Sequence, residues 1–415
     1  MKTKKGIFLL IILTFVVRLV VFLYFRSHQP IQVWEYEAIA KNLVNGYGFK
    51  NIYLNTTYYS CTTPLYPAIC AIVYKLAGIN HDAMVILQII ISSLICIPLY
   101  ELGRRIAGSR VGLLAGWMYA LHPGLIIYSI LNLHALILDA FLFLSTVWSF
   151  VYLREALTLK RSLLTGIIAG LCILTRTTVI VFIPFGFIWL FLCYKKDNPK
   201  RVIINIISVL IVTSLLVSGW VIRNFLVHKE FVFMTTTDAE VFWRGNNINA
   251  TGTSHTPSGG IVIKEDRLLY NKIMTLSELE QRNLFRTEAA NFIRKNPGKF
   301  IELFLKKLFY FWWFSPESGI YYPKTYLLVY KFLYSIALFF AVIGIYFTLK
   351  SNSKTTREYV SLIILFILII SFTQSLFYVE GRHRWAIEPF LLIFTAASFS
   401  SFLDKNKERG EKNDY

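Results

Sequence analysis

Long apolar stretches decide what this 415-residue chain can fold into. A helix needs about 20 consecutive apolar residues to cross the hydrocarbon core of a bilayer. Composition agrees with many crossings, because 55% of the residues are hydrophobic and only 16% are charged, whereas soluble domains are about 25% charged. The sequence therefore predicts an all-α polytopic membrane protein with about 9–12 transmembrane helices. The predicted spans are 6–25, 83–103, 111–130, 133–153, 163–175 continuing into 178–194, 202–222, 326–349, 358–379 and 387–403.

Two further apolar segments leave their placement open. Segment 64–79 contains two prolines and is barely long enough to cross, while segment 299–314 carries Lys306 and Lys307 among aromatic residues. Either could span the membrane, re-enter it or lie in the interface. The aromatic run at 309–314 is most simply an interfacial belt. Contact with sugar rings or with a prenyl chain is the alternative for that run.

Basic residues fall in alternate loops between the predicted spans. They are Lys2, Lys4, Lys5, Arg104, Arg105, Arg110, Arg154, Lys160, Arg161, Lys195, Lys196, Lys200, Arg201, Lys350, Lys354, Arg357 and the tail 405–412. The positive-inside rule predicts that these loops and both termini are cytoplasmic. Segments 26–62, 223–325 and 380–386 are then predicted on the outer face of a cell membrane. The net charge of +19 is attributed to this topology and to anionic lipid head groups, and not to nucleic acid.

The span pattern divides the chain into three predicted modules. Residues 1–222 form an N-terminal transmembrane module that includes a first outer loop at 26–63. Residues 223–325 form an outer domain that ends in the aromatic segment, and residues 326–415 contain the last helices and a basic cytoplasmic tail. About 100 residues are enough for a small folded domain, so the middle module is expected to fold outside the membrane.

Local composition predicts a mixed α/β fold for this outer domain. Residues Glu230–Thr237 have the Phe, Val and Thr content of a strand. Residues 246–260 are rich in Gly, Asn, Ser and Thr and are expected to form a loop, whereas 276–296 has the pattern of a helix.

The first outer loop places carboxylates beside aromatic residues. Apolar residues recur at helical spacing from Tyr36 to Val44, which predicts a short amphipathic helix on the outer membrane surface. Glu35 and Glu37 lie in its first turn, where the helix dipole favours negative charge. For Glu37 alone, that dipole interaction is the simpler explanation.

At these residues the chain resembles a known family. Glu35-Tyr36-x-x-Ile39-Ala40-x-Asn42-Leu43-x-x-Gly46-x-Gly48-Phe49, followed by Thr63-Pro64-Leu65-Tyr66-Pro67, resembles the first outer loop of bacterial family 39-type glycosyltransferases with the GT-C fold. These are related to the protein O-mannosyltransferases, the lipid A aminoarabinose transferase and the Rgt-type lipopolysaccharide core transferases. Further similar segments, in the same order, are Leu102–Arg105 with Gly108 and Gly112–Ala115, Gly170–Arg176, Arg223-Asn224, Trp243–Asn247 and Arg382–Pro389.

The resemblance implies transfer of a sugar from a polyprenyl-phosphate donor to a glycan, lipid or protein acceptor. The reaction would occur on the outer face of a bacterial inner (plasma) membrane. Family members commonly carry an Asp four residues before the Tyr, where this chain has Gln32, and an acid at the start of the fourth helix, where it has Asn132-Leu133-His134. Glu35 is therefore the implied catalytic carboxylate. The need for a divalent cation stays open, and no ligand set is assigned to one.

The chemistry of such a transfer explains the residue types independently. A hydroxyl acceptor loses a proton as it attacks the anomeric carbon, so a carboxylate such as Glu35 can act as general base. Supporting candidates are Tyr36, Glu37, His134 and Asp139. Arginine pairs well with the phosphate of the leaving lipid, and the candidates at outer helix ends are Arg382, Arg384, Arg223, Arg176 and Arg18.

Each of these residues also has a structural explanation. An arginine at a helix end can reach lipid phosphate without forming a specific site, and a histidine near the top of a helix is often a packing residue. Asp139 lies inside a predicted span, where a carboxylate is rare without a partner, so it is expected to pair with an arginine such as Arg176 or Arg18.

A transporter or lipid flippase of envelope precursors is the competing functional class. Such proteins often have paired halves with broken spans and ionisable residues at the membrane midplane. This chain concentrates its acids and arginines in predicted outer loops and has a large outer domain. A non-catalytic envelope scaffold is also compatible with the composition. The pattern favours the enzyme.

Overall fold

The structure, a computed structural model, describes residues 2–194, 198–256, 260–315 and 324–413. The predicted cytoplasmic residues Lys195 and Lys196 lie outside the described residues. So do positions 257–259 and 316–323 of the predicted outer domain.

Helices dominate these described ranges. They are α1 Lys2–Arg26, α2 Glu35–Val44, α3 Leu65–Ala77, α4 His81–Leu94, α5 Cys96–Ala107, α6 Ser109–Ala120, α7 Pro123–Leu131, α8 Leu136–Glu155, α9 Leu159–Ile173, α10 Phe182–Tyr194, α11 Pro199–His228, α12 Asp238–Arg244, α13 Arg267–Ile273, α14 Glu278–Lys295, α15 Pro297–Trp312, α16 Lys324–Leu349, α17 Lys354–Leu376 and α18 Glu388–Asn413. Short 3-10 helices cover Thr177–Val181, Val262–Lys264 and Gly381–Ala386.

The apolar helices confirm the all-α polytopic class. Within the described residues, 7 helical stretches are long and apolar enough to cross a membrane, and α6 with α7, bent by 52°, would make 8. The 7 are Lys5–Arg26, His81–Ala107, Leu136–Glu155, Thr177–Tyr194, Pro199–His228, Leu327–Leu349 and Lys354–Leu376. The predicted spans also included α9 and α18, which are not among these 7 stretches. Helix α9 has only 15 residues and starts beside Lys160 and Arg161, and the second half of α18 is highly charged.

The two ambiguous segments are helices too short to be spans by themselves. Helix α3 has 13 residues and α15 has 16, which correspond to about 20 and 24 Å, less than a hydrocarbon core of about 30 Å. In the aromatic run, Phe311 is fully buried, whereas Phe309 is 58% exposed. The run is therefore partly internal packing and not a uniform interfacial belt.

Two small sheets hold the first loop in place. Strand β1 (Gln32–Val33) pairs in parallel with β4 (Asn132–Leu133), and β2 (Asn51–Tyr53) forms an antiparallel hairpin with β3 (Thr56–Tyr58). The first pairing ties the start of α2 to the loop before α8. It thereby brings two segments together that are 100 residues apart in the sequence.

The large loop, residues 229–315 between α11 and α16, differs from its predicted α/β pattern. The helix predicted at 276–296 is confirmed as α14. The strand predicted at Glu230–Thr237 is wrong, because its backbone carbonyls bond to side chains and not to a neighbouring strand. The Asn224 amide donates to Val232 O at 3.3 Å and to Met234 O at 3.1 Å.

The hairpin of the first loop packs against the large loop. The Glu278 carboxylate on α14 accepts the backbone N–H groups of Tyr59 at 2.8 Å and Ser60 at 3.0 Å. The Tyr58 hydroxyl donates to Gln281 at 2.5 Å. The strands of the mixed α/β unit therefore come from residues 51–58, outside the predicted boundaries of the outer domain.

Candidate functional site

A cavity of about 690 Å³ lies where five parts of the chain meet. Its walls come from the first loop with the start of α2, the segment before α8, the bend after α9, the large loop, and the end of α17 with the loop that follows it. The charged residues and histidines that line it are Glu35, His134, Arg176, Asp238, Glu240, Arg244, His255, Arg282, Glu380, Arg382 and His383.

Glu35 is the first residue of α2 and faces this cavity. It is half-buried, and among the described residues it forms no ion pair and no hydrogen bond to another side chain. Burial raises the pKa of this carboxyl, and Glu240 adds to that effect, whereas its own backbone N–H, Arg382 and Arg244 oppose it. The net effect is a raised pKa, which suits a group that accepts a proton near neutral pH.

The other acids that line the cavity are neutralised by cations. Asp238 accepts two hydrogen bonds from Arg282, at 2.8 and 2.9 Å. Glu240 pairs with Arg244 in the next turn of α12. Among the described lining residues, Glu35 is therefore the acid left unpaired.

Glu380 pairs with Arg382 and lies 3.5 Å from His255. Its carboxylate also accepts the hydroxyl of Ser254. Burial acts to raise the pKa of Glu380, but Arg382 and these hydrogen bonds lower it well below its usual range. Glu380 is consequently a fixed counter-charge and not a proton acceptor.

Arg382 and Arg176 are the predicted phosphate-binding residues that reach the cavity. The guanidinium of Arg382 stacks 5.1 Å above the ring of Trp34. Arg176 lies 3.5 Å from Asp139 and donates to Gln374 at 3.2 Å. The predicted pairing of Asp139 with Arg176 is confirmed, and Asp139 lies behind the cavity wall.

Arg18, Arg223 and Arg384, the other predicted phosphate-binding arginines, are not among the residues that line the cavity. Arg18 is fully buried between α1, α4 and α6, where it donates to Ser92 at 2.8 Å. The other two donate their N–H groups to backbone carbonyls, Arg223 to Tyr59 O at 2.6 Å and Arg384 to Trp313 O at 3.1 Å. All three guanidiniums thus donate hydrogen bonds to other groups of the protein.

The supporting candidates also divide into residues that line the cavity and residues that do not. Tyr36 lines the cavity and packs edge-on against Tyr66. Glu37 points away from the cavity, where it pairs with Lys41 at 3.1 Å, accepts the Tyr74 hydroxyl at 3.3 Å, and contacts His81. Burial acts to raise the pKa of Glu37, but its bonds to Lys41 and His81 outweigh burial and lower it. Glu37 therefore does more than complement the helix dipole.

His134 lines the cavity inside a group of aromatic rings. The centroids of Trp34, Tyr36 and Tyr128 lie 5.3, 5.1 and 5.8 Å from its own. Burial, with Arg382 and Arg176 nearby, lowers its pKa well below the usual histidine range. This shift favours the neutral imidazole.

Arg244, Arg282 and Glu380 line the cavity but were not predicted as site residues from the sequence. A signal existed for two of them. Arg244 lies inside the Trp243–Asn247 segment, and Glu380 lies two residues before Arg382. Arg282 occupies the middle of a polar helix, where no sequence pattern distinguishes it.

The residues do not fit a divalent cation held by acids of the first loop and of the segment before α8. Gln32 and Asn132 are partners in the β1–β4 register, so residues with amide side chains, and not acids, occupy these two positions. Within the described ranges, no group of three or more His, Cys, Asp or Glu side chains is placed to hold a metal ion.

Comparison with known proteins identifies the fold. The family model for dolichyl-phosphate-mannose-protein mannosyltransferase matches residues 62–222, which is less than half of the chain. The oligosaccharyltransferase AglB from Archaeoglobus fulgidus, solved with an inhibitory peptide and a dolichol-phosphate, has a TM-score of 0.58 and 14% identity and covers 100% of this chain. ArnT from Cupriavidus metallidurans, bound to undecaprenyl phosphate, has a TM-score of 0.61 and 12% identity over 94% of this chain.

These matches define the fold of the protein. The chain has the GT-C fold of polytopic membrane glycosyltransferases, as the resemblance predicted. It spans 52% of the length of AglB and 60% of that of ArnT. No curated protein sequence matches the chain.

Proposed function

We propose that this protein is an integral-membrane glycosyltransferase that moves a sugar from a polyprenyl-phosphate donor to a hydroxyl acceptor on the outer face of the membrane. The observation that carries the proposal is the unpaired carboxylate of Glu35 in a cavity that also contains the guanidiniums of Arg382 and Arg176. The GT-C fold supports it, and two solved proteins of that fold hold a dolichol-phosphate and undecaprenyl phosphate. That fold favours the enzyme over a transporter or flippase.

In the proposed reaction, Glu35 is the general base. The acceptor hydroxyl transfers its proton to the Glu35 carboxylate while its oxygen forms a bond to the anomeric carbon. The bond from that carbon to the phosphate oxygen breaks, and its electron pair leaves with the lipid phosphate. A general base contributes about 100- to 10,000-fold to such a step, and it works best when its pKa lies close to the working pH.

Arg382 and Arg176 are proposed to bind the lipid phosphate as it leaves. A guanidinium presents two parallel N–H donors that match phosphate oxygens, and in a partly dry cavity such contacts stabilise developing negative charge. A cavity of about 690 Å³ lies within the usual range of about 300–1,000 Å³ for small-molecule sites. Stacking on Trp34 also fixes the orientation of the Arg382 fork before the donor arrives.

The proposed localisation is a bacterial inner or plasma membrane, with both termini cytoplasmic. The donor is a polyprenyl-phosphate hexose or pentose, and the acceptor is an envelope glycan, lipid or protein. Mass spectrometry of polyprenyl-linked sugars and envelope glycans, in cells with and without the gene, would identify both substrates. Unchanged lipid-linked sugars and glycans would contradict the proposal.

Glu35→Gln tests the catalytic assignment once the substrates are known. It removes the charge at nearly constant size, so transfer should fall by at least about 100-fold while expression is maintained. Asp238→Asn is the matched control, because its carboxylate lines the same cavity but is paired with Arg282. Glu35→Gln activity within a few-fold of the control would exclude Glu35 as the base.

A further inference from the structure

Two histidines in the cavity have no role in the proposed reaction. The Nδ1 atom of His134 accepts the backbone N–H of Leu136 at 3.2 Å. The Nδ1 atom of His383 accepts the backbone N–H of Glu380 at the same distance, 3.2 Å. In both rings, a backbone N–H thus occupies Nδ1 and leaves Nε2 free to face another group.

This hydrogen bonding determines where each ring carries its proton. A neutral imidazole has one N–H, so a ring whose Nδ1 accepts a bond carries hydrogen on Nε2. Burial, together with the nearby guanidiniums of Arg176 and Arg382, lowers the pKa of both His134 and His383 well below the usual value. Each ring thus presents one uncharged Nε2–H donor.

Neither Nε2–H has a hydrogen-bond partner among the described residues. Both rings line the cavity, so a bound molecule can supply the acceptor. Two donors that face one cavity suit a ligand with several acceptor oxygens.

The surrounding charges narrow down the chemistry of that ligand. Arg382 and Arg176 act electrostatically on both histidines, so the two donors and the two guanidiniums share one region of the cavity. Each guanidinium already lies beside a carboxyl group, Arg382 beside Glu380 and Arg176 beside Asp139. Additional neutral donors strengthen anion binding without adding buried positive charge.

We propose that His134 and His383 donate hydrogen bonds from Nε2 to the phosphate oxygens of the lipid donor, beside Arg382 and Arg176. This assignment rests on the proposed function and deepens it. The aromatic rings around His134 and the backbone contacts of both rings keep the donors aimed before the lipid binds. The phosphate is then held by uncharged donors as well as by cations.

Paired substitutions separate hydrogen bonding from packing. In His→Gln the side-chain amide nitrogen reaches the position of Nε2, whereas in His→Asn the amide oxygen can replace Nδ1 and nothing replaces Nε2. Undecaprenyl phosphate, without a sugar, is titrated into the purified full-length protein. We expect the dissociation constant to rise about tenfold or more in His134→Asn and His383→Asn, and about threefold or less in the Gln variants.

A spectroscopic measurement on the unmodified protein complements the titration. Selective ¹⁵N labelling of histidine distinguishes the Nε2–H tautomer from imidazolium, and the single variants assign the signals. We expect both rings to be neutral with hydrogen on Nε2 at pH 7, and the Nε2 signals to shift when undecaprenyl phosphate is added. Imidazolium at pH 7, or signals insensitive to the lipid, would overturn the inference.

The titration distinguishes failure of this inference from failure of the proposed function. If the wild type binds undecaprenyl phosphate and the Asn variants bind it equally well, the histidine assignment is wrong and the proposed function stands. Equal losses in the Asn and Gln variants would mean a packing role and would also overturn the assignment. If the wild type binds neither undecaprenyl phosphate nor dolichyl phosphate, the lipid-donor function fails and this inference fails with it.

Discussion

The acidity of Glu35 results from neighbours that act in opposite directions. Burial raises its pKa most, Arg382 and Arg244 lower it, and Glu240 raises it. A general base works only when unprotonated, so the rate should rise with pH through the pKa of Glu35. Because that pKa is raised, the acid limb of kcat/KM should lie above the ordinary glutamate value of about 4.3.

Two neutralising substitutions should move this acid limb in opposite directions. Glu240→Gln removes a negative charge that raises the pKa of Glu35, so the limb should move to lower pH. Arg244→Gln removes a positive charge that lowers this pKa, so the limb should move to higher pH. The measurement is kcat/KM against pH for both variants and the wild type. Shifts in the same direction, or no shift, would mean that Glu35 does not produce the limb.

Arg382 and Arg384 should respond differently to the same change. Arg382 lines the cavity, whereas Arg384 bonds to Glu388 at 2.7 Å and lies 4.3 Å from the ring of Phe314. Lysine keeps the charge but loses the two-pronged fork. Arg382→Lys should weaken binding of undecaprenyl phosphate about tenfold, and Arg384→Lys should mainly lower the thermal midpoint. Equal affinity losses in both variants would contradict this division.

At the scale of elements, α2 is held by the face opposite the cavity. Glu37 joins it to Tyr74 on α3 and to His81 at the start of α4. The position of Glu35 in the cavity therefore depends on a residue that itself does not line it. If Glu37 only complemented the helix dipole, the position of Glu35 would not depend on it.

Glu37→Gln should consequently destabilise the protein more than the sequence alone predicts. Losing a buried charged acceptor costs about 1–3 kcal/mol, whereas an exposed ion pair contributes about 0–1 kcal/mol. Glu302→Gln is a suitable control, because Glu302 pairs with Lys299 on the surface of α15. Thermal unfolding in detergent should show a lower midpoint for Glu37→Gln than for the control. Equal midpoints would support the dipole explanation.

At the scale of the whole molecule, the proposed lipid donor requires the cavity to open to the outer face. Sugar nucleotides are cytoplasmic, whereas polyprenyl-phosphate sugars can be presented outside. The charge pattern predicts that the first loop and the loop between α17 and α18 share that face. Both segments line the same cavity, which is consistent with one side of the membrane.

Cysteine labelling would test this sidedness. The five native cysteines are all buried, but Cys61 lines the cavity, so the test uses a background that lacks all five. New cysteines in place of Gln32 and Gly381 should react with an impermeant maleimide in intact cells or spheroplasts, and those in place of Ser109 and Asn198 should not. The reversed pattern would invert the topology and remove the physical basis for a lipid-linked donor.

Much of the architecture could be predicted because hydropathy and helix length are local properties of the sequence. The apolar stretches correspond to helices of the structure, and the short helix after the first span is confirmed as α2. The strand expected at Glu230–Thr237 failed because strand formation needs a partner, and here the side chain of Asn224 takes the carbonyls. Likewise, no local pattern could show that β1 pairs with β4.

Sequence alone determined the class of the protein and the loops that carry its charged residues. Only the tertiary structure decided which members of those loops face the cavity. Glu35 and Arg382 line it, whereas Glu37 and Arg384, each two residues further on, contact other helices. The physical reason is that residues two apart on a helical turn point in different directions. Which direction faces the cavity depends on the helices packed around that turn, and these come from distant parts of the chain.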